Sequence, residues 1–150
     1  MGKIVALTGH RVLKKDFDLY HFNRVLVNII ESGYNIFYIG MAIGFDITGC
    51  KLLNELKETY KDIKIIACIP CKEQDKFFNK KEKNDYENCL KFCEEIIYIT
   101  DTYITGCMQM RNRYMVDNCD LLLAYLYKNL GGTYYTVNYA KRKNKEIIYI

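Results

Sequence analysis

Apolar positions fall along the chain in two alternating patterns. Short runs at Lys3 to Thr8, Asn35 to Ile39, Ile63 to Ile69, Glu95 to Ile99, Leu121 to Tyr125 and Glu146 to Ile150 are almost continuously apolar, rich in Ile, Leu, Val and Tyr. Between them, apolar residues recur every three or four positions. Residues 16–32 carry Phe17, Tyr20, Val25, Leu26, Ile29 and Ile30 before Gly33, and residues 46–60 carry Ile47, Cys50, Leu53 and Leu56. The first pattern is that of a strand buried on both faces, and the second that of a helix with one buried stripe. Further helices are predicted over about 83–94, 109–118 and 133–143. The alternation predicts an α/β fold, a single Rossmann-like, doubly wound domain over residues 1–150. Its sheet is expected to be mainly parallel, with right-handed crossovers and helices on both faces.

In such a sheet ligands bind beyond the carboxyl ends of the strands, so the candidate site is read from the residues after each strand. The first strand is followed by Thr8-Gly9-His10-Arg11. This is a tight turn whose guanidinium can fork onto a phosphate or carboxylate. His10 is a further base or donor, although a single His is more often structural. Next comes Gly40-Met41-Ala42-Ile43-Gly44-Phe45-Asp46, a glycine-bracketed strand-to-helix loop whose amides suit an anion. Asp46 reads first as the helix N-cap and second as a partner for a ribose hydroxyl. After the third strand, Pro70 ends the run and Gln74 offers a contact to a base or sugar.

The strongest local signal is Gly131-Gly132-Thr133-Tyr134-Tyr135-Thr136. Thr133 is expected to cap the last helix. The free amides, the hydroxyls of Thr133 and Thr136 and the helix dipole together suit a phosphate. In the segment Met108 to Asp117, Arg111 and Met115 share a helix face, and Asn112 adds a polar group. A guanidinium at the start of a buried helix needs an anionic partner, supplied by a ligand or by Asp117 or Asp120.

Composition narrows the alternatives. The chain has 22 Lys and Arg against 18 Asp and Glu, a net charge of +4, and the signs are interleaved, as in Lys80-Lys81-Glu82-Lys83. That mild excess argues against a nucleic-acid partner. Seven cysteines and a start, Met1 to Val5, without an apolar leader point to the reducing cytoplasm, and no run reaches membrane-spanning length. Cys68, Cys71, Cys89 and Cys93 have a zinc-like spacing. Yet Cys68 lies in a strand, and Cys89 and Cys93 lie on one helix face, so core packing explains them. No metal and no cofactor are expected.

These motifs, in this order, resemble those of the SLOG superfamily, which unites the LOG phosphoribohydrolases with the DprA/Smf Rossmann domains. Within it they are most similar to the YpsA-like family of small bacterial and phage proteins. Gly40-Met41-Ala42-x-Gly44-x-Asp46 is similar to the DprA loop SG-x-A-x-G-x-D. Met108-x-x-Arg111-Asn112-x-x-Met115 with Cys119-Asp120 resembles the LOG segment M-x-x-R-K-x-x-M and its following A-D. Gly131-Gly132-Thr133 sits where LOG proteins carry P-G-G-x-G-T-x-x-E. The resemblance implies a pocket for a nucleotide-derived ligand of NAD, ADP-ribose or second-messenger type, in a sensor or sequestering protein that associates as a homo-oligomer. LOG enzymes break an N-glycosidic bond with an Arg and a Glu. Thr136 stands at the position of that Glu, and a hydroxyl cannot act as a carboxylate acid or base. Binding is therefore favoured over catalysis. A hydrolase would need Asp46, Glu73 or His10 instead, and single-stranded DNA binding by analogy with DprA is the third reading.

Overall fold

In the computed structural model, which describes residues 3–150, six parallel strands form one sheet. The elements in chain order are β1 (Lys3–Gly9), α1 (Leu19–Glu31), β2 (Tyr34–Ile39), α2 (Phe45–Leu56), β3 (Lys64–Ile69) and α3 (Lys80–Lys91). They continue with β4 (Glu95–Tyr98), α4 (Cys107–Asn118), β5 (Leu121–Tyr125), α5 (Gly132–Arg142) and β6 (Glu146–Tyr149). The strand order is β4-β3-β2-β1-β5-β6, and every pairing is parallel. The chain winds outward from β1 to β4 and then crosses back to lay β5 on the other side of β1. This is the doubly wound α/β architecture that the alternating pattern predicts.

Each face of the sheet is covered by its own helices. Phe22, Leu26 and Ile29 of α1, Phe45 and Leu53 of α2 and Cys89 of α3 pack with Leu7, Phe37, Ile39 and Ile65. Met115 and Val116 of α4 and Val137 and Ala140 of α5 pack on the opposite face with Ala6, Cys68, Leu122 and Ala124. Continuous apolar runs mean full burial only in the middle of the sheet. Val5 to Leu7 and Leu121 to Ala124 are at most 1% exposed, whereas Ile96 and Tyr98 on β4 and Tyr149 on β6 are 39–51% exposed. The edge strands share the composition of the central ones but have a neighbour on one side only.

Two local features set the frame of the site. The rings of Phe22 and Phe45 stack with centroids 4.5 Å apart, directly under Gly9. A Cβ at Gly9 would lie 2.3–2.5 Å from Phe45, so this glycine is a packing requirement of the first turn. Helix α3 begins at Lys80, three residues before the expected start. Asn79 and Glu82 form a capping box there, in which Asn79 Oδ1 accepts from the Glu82 amide at 2.8 Å and Glu82 Oε1 from the Asn79 amide at 2.9 Å. Among the described residues no helix is long and apolar enough to cross a membrane.

Candidate functional site

The strand order reverses between β1 and β5, and a cavity of about 390 Å3 opens there at the carboxyl ends of the strands. Three helices, α2, α4 and α5, contribute their first turns to it, through Asp46, Met108 and Arg111, and Gly132 and Thr133. All three begin with a glycine at positive φ, Gly44, Gly106 and Gly131 (84°, 87° and 89°), and none has a side-chain cap. By contrast α1 and α3, which stay outside the cavity, are capped by Asp18 and Asn79. At α2 the Phe45 and Ile47 amides go to the His10 and Ala42 carbonyls, and at α4 the Cys107 amide goes to Ile104, whereas the first amides of α5 have no acceptor and keep the positive end of that helix dipole open.

This corrects two expectations. Thr133 is not the cap of α5 but its second residue, and Asp46 is the second residue of α2. The cap positions need a positive φ that glycine adopts without strain. At Gly44 the Arg11 carbonyl also closes in, and a Cβ would lie 2.2 Å from that oxygen.

Freed from capping, Asp46 is buried, 6% exposed, on the cavity floor. Its Oδ2 accepts from the Ala42 amide at 3.2 Å, which Met41 presents by taking a left-handed φ of 62°. Its Oδ1 has no partner. Burial pushes the carboxyl up to about 6, while Arg111, the Ala42 amide and Arg11 hold it from rising further.

Arg111 is equally buried, and its guanidinium faces Asp46 across Gly40. A Cβ at Gly40 would lie 2.7 Å from Arg111 Nη1 and 3.1 Å from Asp46 Oδ2. Nη1 donates to the carbonyls of Gly40 and Cys68, the latter at 3.2 Å, and Nε donates to Asn112 Oδ1 at 2.8 Å. Neither expected carboxylate is its partner. Asp117 Oδ1 accepts from the Tyr139 hydroxyl, and Asp120 Oδ2 from the Ile4 amide, both at 2.8 Å. Among the described residues no carboxylate lies within 4 Å of Arg111. It therefore brings a buried positive charge to the cavity while tying the ends of β2 and β3 together.

On the β5 side, His10 is 6% exposed beneath Tyr127, with ring centroids 4.3 Å apart. Its Nε2 is unpartnered. Burial first, and the Lys128 charge second, lower its pKa and favour the neutral ring. Lys128 and Arg11 stand exposed on the cavity wall, and Arg11 reaches Met108 Sδ at 3.8 Å.

Of the candidate residues, Thr8, Gly9, His10, Arg11, Gly40, Ala42, Asp46, Arg111, Asn112, Gly131, Gly132 and Thr133 line this one cavity. Five other candidates are placed elsewhere. Met41 is in the core. Gly44 packs on the Arg11 backbone. The Pro70 carbonyl accepts from Thr100. Gln74 donates to the Gly40 carbonyl at 2.9 Å and accepts from the Tyr86 hydroxyl at 3.2 Å, so it braces the loop from behind. The Thr136 hydroxyl donates to the Gly132 carbonyl at 2.7 Å, inside its own helix. Met108, which opens the motif that holds Arg111, also lines the cavity, and so do Lys128 and the apolar rim of Val12 and Leu130, which were not singled out. The place of Lys128 between β5 and Gly131 is a sequence signal for it. Nothing in the sequence marks Val12 or Leu130. The seven cysteines are free thiols, all buried except the half-buried Cys93, and burial pushes Cys68 up to about 12. Among the described residues no group of three or more His, Cys, Asp or Glu is placed to hold a metal ion.

A profile of the YspA SLOG family matches residues 12–150. The chain belongs to this family. It is 32% identical over 124 residues to the uncharacterized SPbeta prophage-derived protein YoqJ of Bacillus subtilis, covering 75% of this chain and 72% of that one. The UPF0398 protein YpsA of Bacillus subtilis is 24% identical over 157 residues, with 96% and 87% covered. Among solved structures, DNA processing protein A from Streptococcus pneumoniae superimposes with a TM-score of 0.73 at 17% identity, over 99% of this chain and 50% of that one. The Helicobacter pylori protein, whose structure is described for its single-stranded DNA binding mode, gives 0.71 at 18% identity, with 98% and 64% covered. The chain thus spans half to about two thirds of these two proteins, and at such identities the likeness is one of fold. It corrects one expectation. The mild, interleaved charge of the sequence argued against nucleic acid, yet a DNA-binding protein carries this same fold, so charge balance is no ground for setting nucleic acid aside.

Proposed function

We propose that this SLOG-family protein binds a phosphorylated, nucleotide-type ligand at the carboxyl ends of β1 and β5, as a sensor or a sequestering protein. The observation that carries the reading is the meeting of three uncapped helix starts with a buried, unpaired guanidinium in one cavity. The free amides and dipole of α5, Arg111 and the exposed Arg11 and Lys128 all favour an anion there. The volume of about 390 Å3 is at the small end of ligand pockets and suits a mononucleotide-sized group. Position 136 on α5 offers only a hydroxyl engaged with its own helix, which favours binding over glycosidic hydrolysis.

The test is to denature the purified protein and identify what is released by mass spectrometry, followed by titration with AMP, ADP-ribose, NAD and inorganic phosphate. A released nucleotide, or millimolar or tighter binding of one of these, is expected. No release and no binding of any of them overturns the reading.

Single-stranded DNA is the second reading, favoured by the fold shared with a DNA processing protein described for that binding mode. An oligonucleotide titrated at low salt, with AMP as competitor, separates the two. Oligonucleotide binding that AMP does not displace supports the second reading, with contacts outside the cavity.

A further inference from the structure

We infer that Asp46 and His10 form a paired acceptor site for the vicinal hydroxyls of a ribose, so that the cavity selects ribonucleotides over their 2′-deoxy counterparts. This inference rests on the proposed nucleotide reading.

Buried polar atoms in folded proteins are almost always hydrogen-bonded, and each exception asks for a reason. The cavity holds two such exceptions, Asp46 Oδ1 and His10 Nε2, on residues that are each 6% exposed. Their loops are tied together, since the amide of Phe45 donates to the His10 carbonyl at 3.2 Å. An ionised carboxylate accepts only, and a neutral imidazole protonated at Nδ1 accepts at Nε2. Two acceptors at one site call for two donors on the ligand.

The phosphate does not fit that role, because it offers acceptors and belongs at the amides of α5 and beside Lys128. A ribose carries its 2′- and 3′-hydroxyls on adjacent carbons, and each can donate to one of the two atoms. An exocyclic base amine offers two donors from one nitrogen and is the competing source of the same chemistry. Arg111 donates to the carbonyls of Gly40 and Cys68 and not to Asp46 Oδ1, which is left without a protein donor.

The experiment compares AMP, 2′-deoxy-AMP and IMP by calorimetry at pH 7.5 on the wild-type chain, Asp46→Asn and His10→Ala, with circular dichroism as the check on folding. The wild type is expected to bind AMP and IMP alike and 2′-deoxy-AMP about ten- to a hundredfold more weakly, the range set by one hydrogen bond to a charged acceptor. Folded Asp46→Asn is expected to bind AMP with an affinity near that of the wild type for 2′-deoxy-AMP, and His10→Ala is expected to narrow the preference. Equal wild-type affinity for AMP and 2′-deoxy-AMP overturns the inference and leaves the nucleotide reading standing. A large loss for IMP assigns the acceptors to the base amine and overturns it too. A preference that survives in both folded variants removes these residues from the role. Binding of none of the three overturns the nucleotide reading and the inference with it.

Discussion

At Arg111 a guanidinium with five donors lies among backbone carbonyls, 6% exposed, with its carboxylate neighbour held off by Gly40. Loss of its side chain would leave the carbonyls of Gly40 and Cys68 without these donors. Arg111→Ala is therefore expected to lower unfolding free energy by about 2–3 kcal/mol in urea, alongside any loss of ligand. A variant as stable as the wild type would show that Arg111 serves the ligand alone. Asp46 gives the opposite sign. Its carboxyl titrates near 6 when folded against 3.8 as a free side chain, so the native state holds the extra proton between those values. Stability contributed by this group falls as pH rises from about 4 to 6, and the full penalty, about 2–3 kcal/mol, is present above that window. Asp46→Asn should thus be more stable than the wild type at pH 8, with the gap closing by pH 4. A constant gap in the two melting curves would contradict the buried, protonating carboxyl. A residue that destabilises the free protein at neutral pH fits a binding role better than a scaffold role.

Among the elements, the start of α5 is where the sequence was both most and least informative. Gly131-Gly132 marked the loop correctly, because two glycines after a buried strand leave few other readings. Thr133 was misread as the cap because Thr is among the residues preferred at that position, while the φ of 89° at Gly131 cannot be seen in a string of letters. The same misreading at Asp46 has the same cause. Strands and helices were legible because their periods differ, and the runs at β1 and β5 lie at the centre of the sheet. Val12, Leu130 and the role of Gln74 were not legible, since they follow from how distant loops meet. Gly131→Ala tests the element directly. A Cβ there has open space around it, so the cost is backbone strain alone, about 1–3 kcal/mol of stability in a region that only glycine visits readily. Weaker binding of phosphate is expected with it. A variant with unchanged stability and binding would mean that the helix start tolerates a different cap geometry.

For the whole molecule, a net charge of +4 spread among interleaved signs gives no long basic track. If the cavity alone meets a DNA phosphate, Arg11 and Lys128 are the exposed cations on its wall. The salt dependence of oligonucleotide binding should then be shallow, with log K against log salt falling at a slope of about −1.4 for two contacts on a single strand. A slope several times steeper would place the contacts on an extended surface away from the cavity. The strand order governs the history of the chain as well as its shape. β1 is flanked by β2 and by β5, and the bond from Ile4 to Asp120 closes a separation of 116 residues. On a ribosome, Val5 to Leu7 must wait until about four fifths of the chain has emerged before their second neighbour exists. Until then β1 is a bare apolar edge, open to pairing with other nascent chains. The docking of β5 ends that exposure and, in the same step, brings Lys128 and Gly131 to the cavity wall opposite His10, so the closing of the apolar edge and the completion of the cavity are one event.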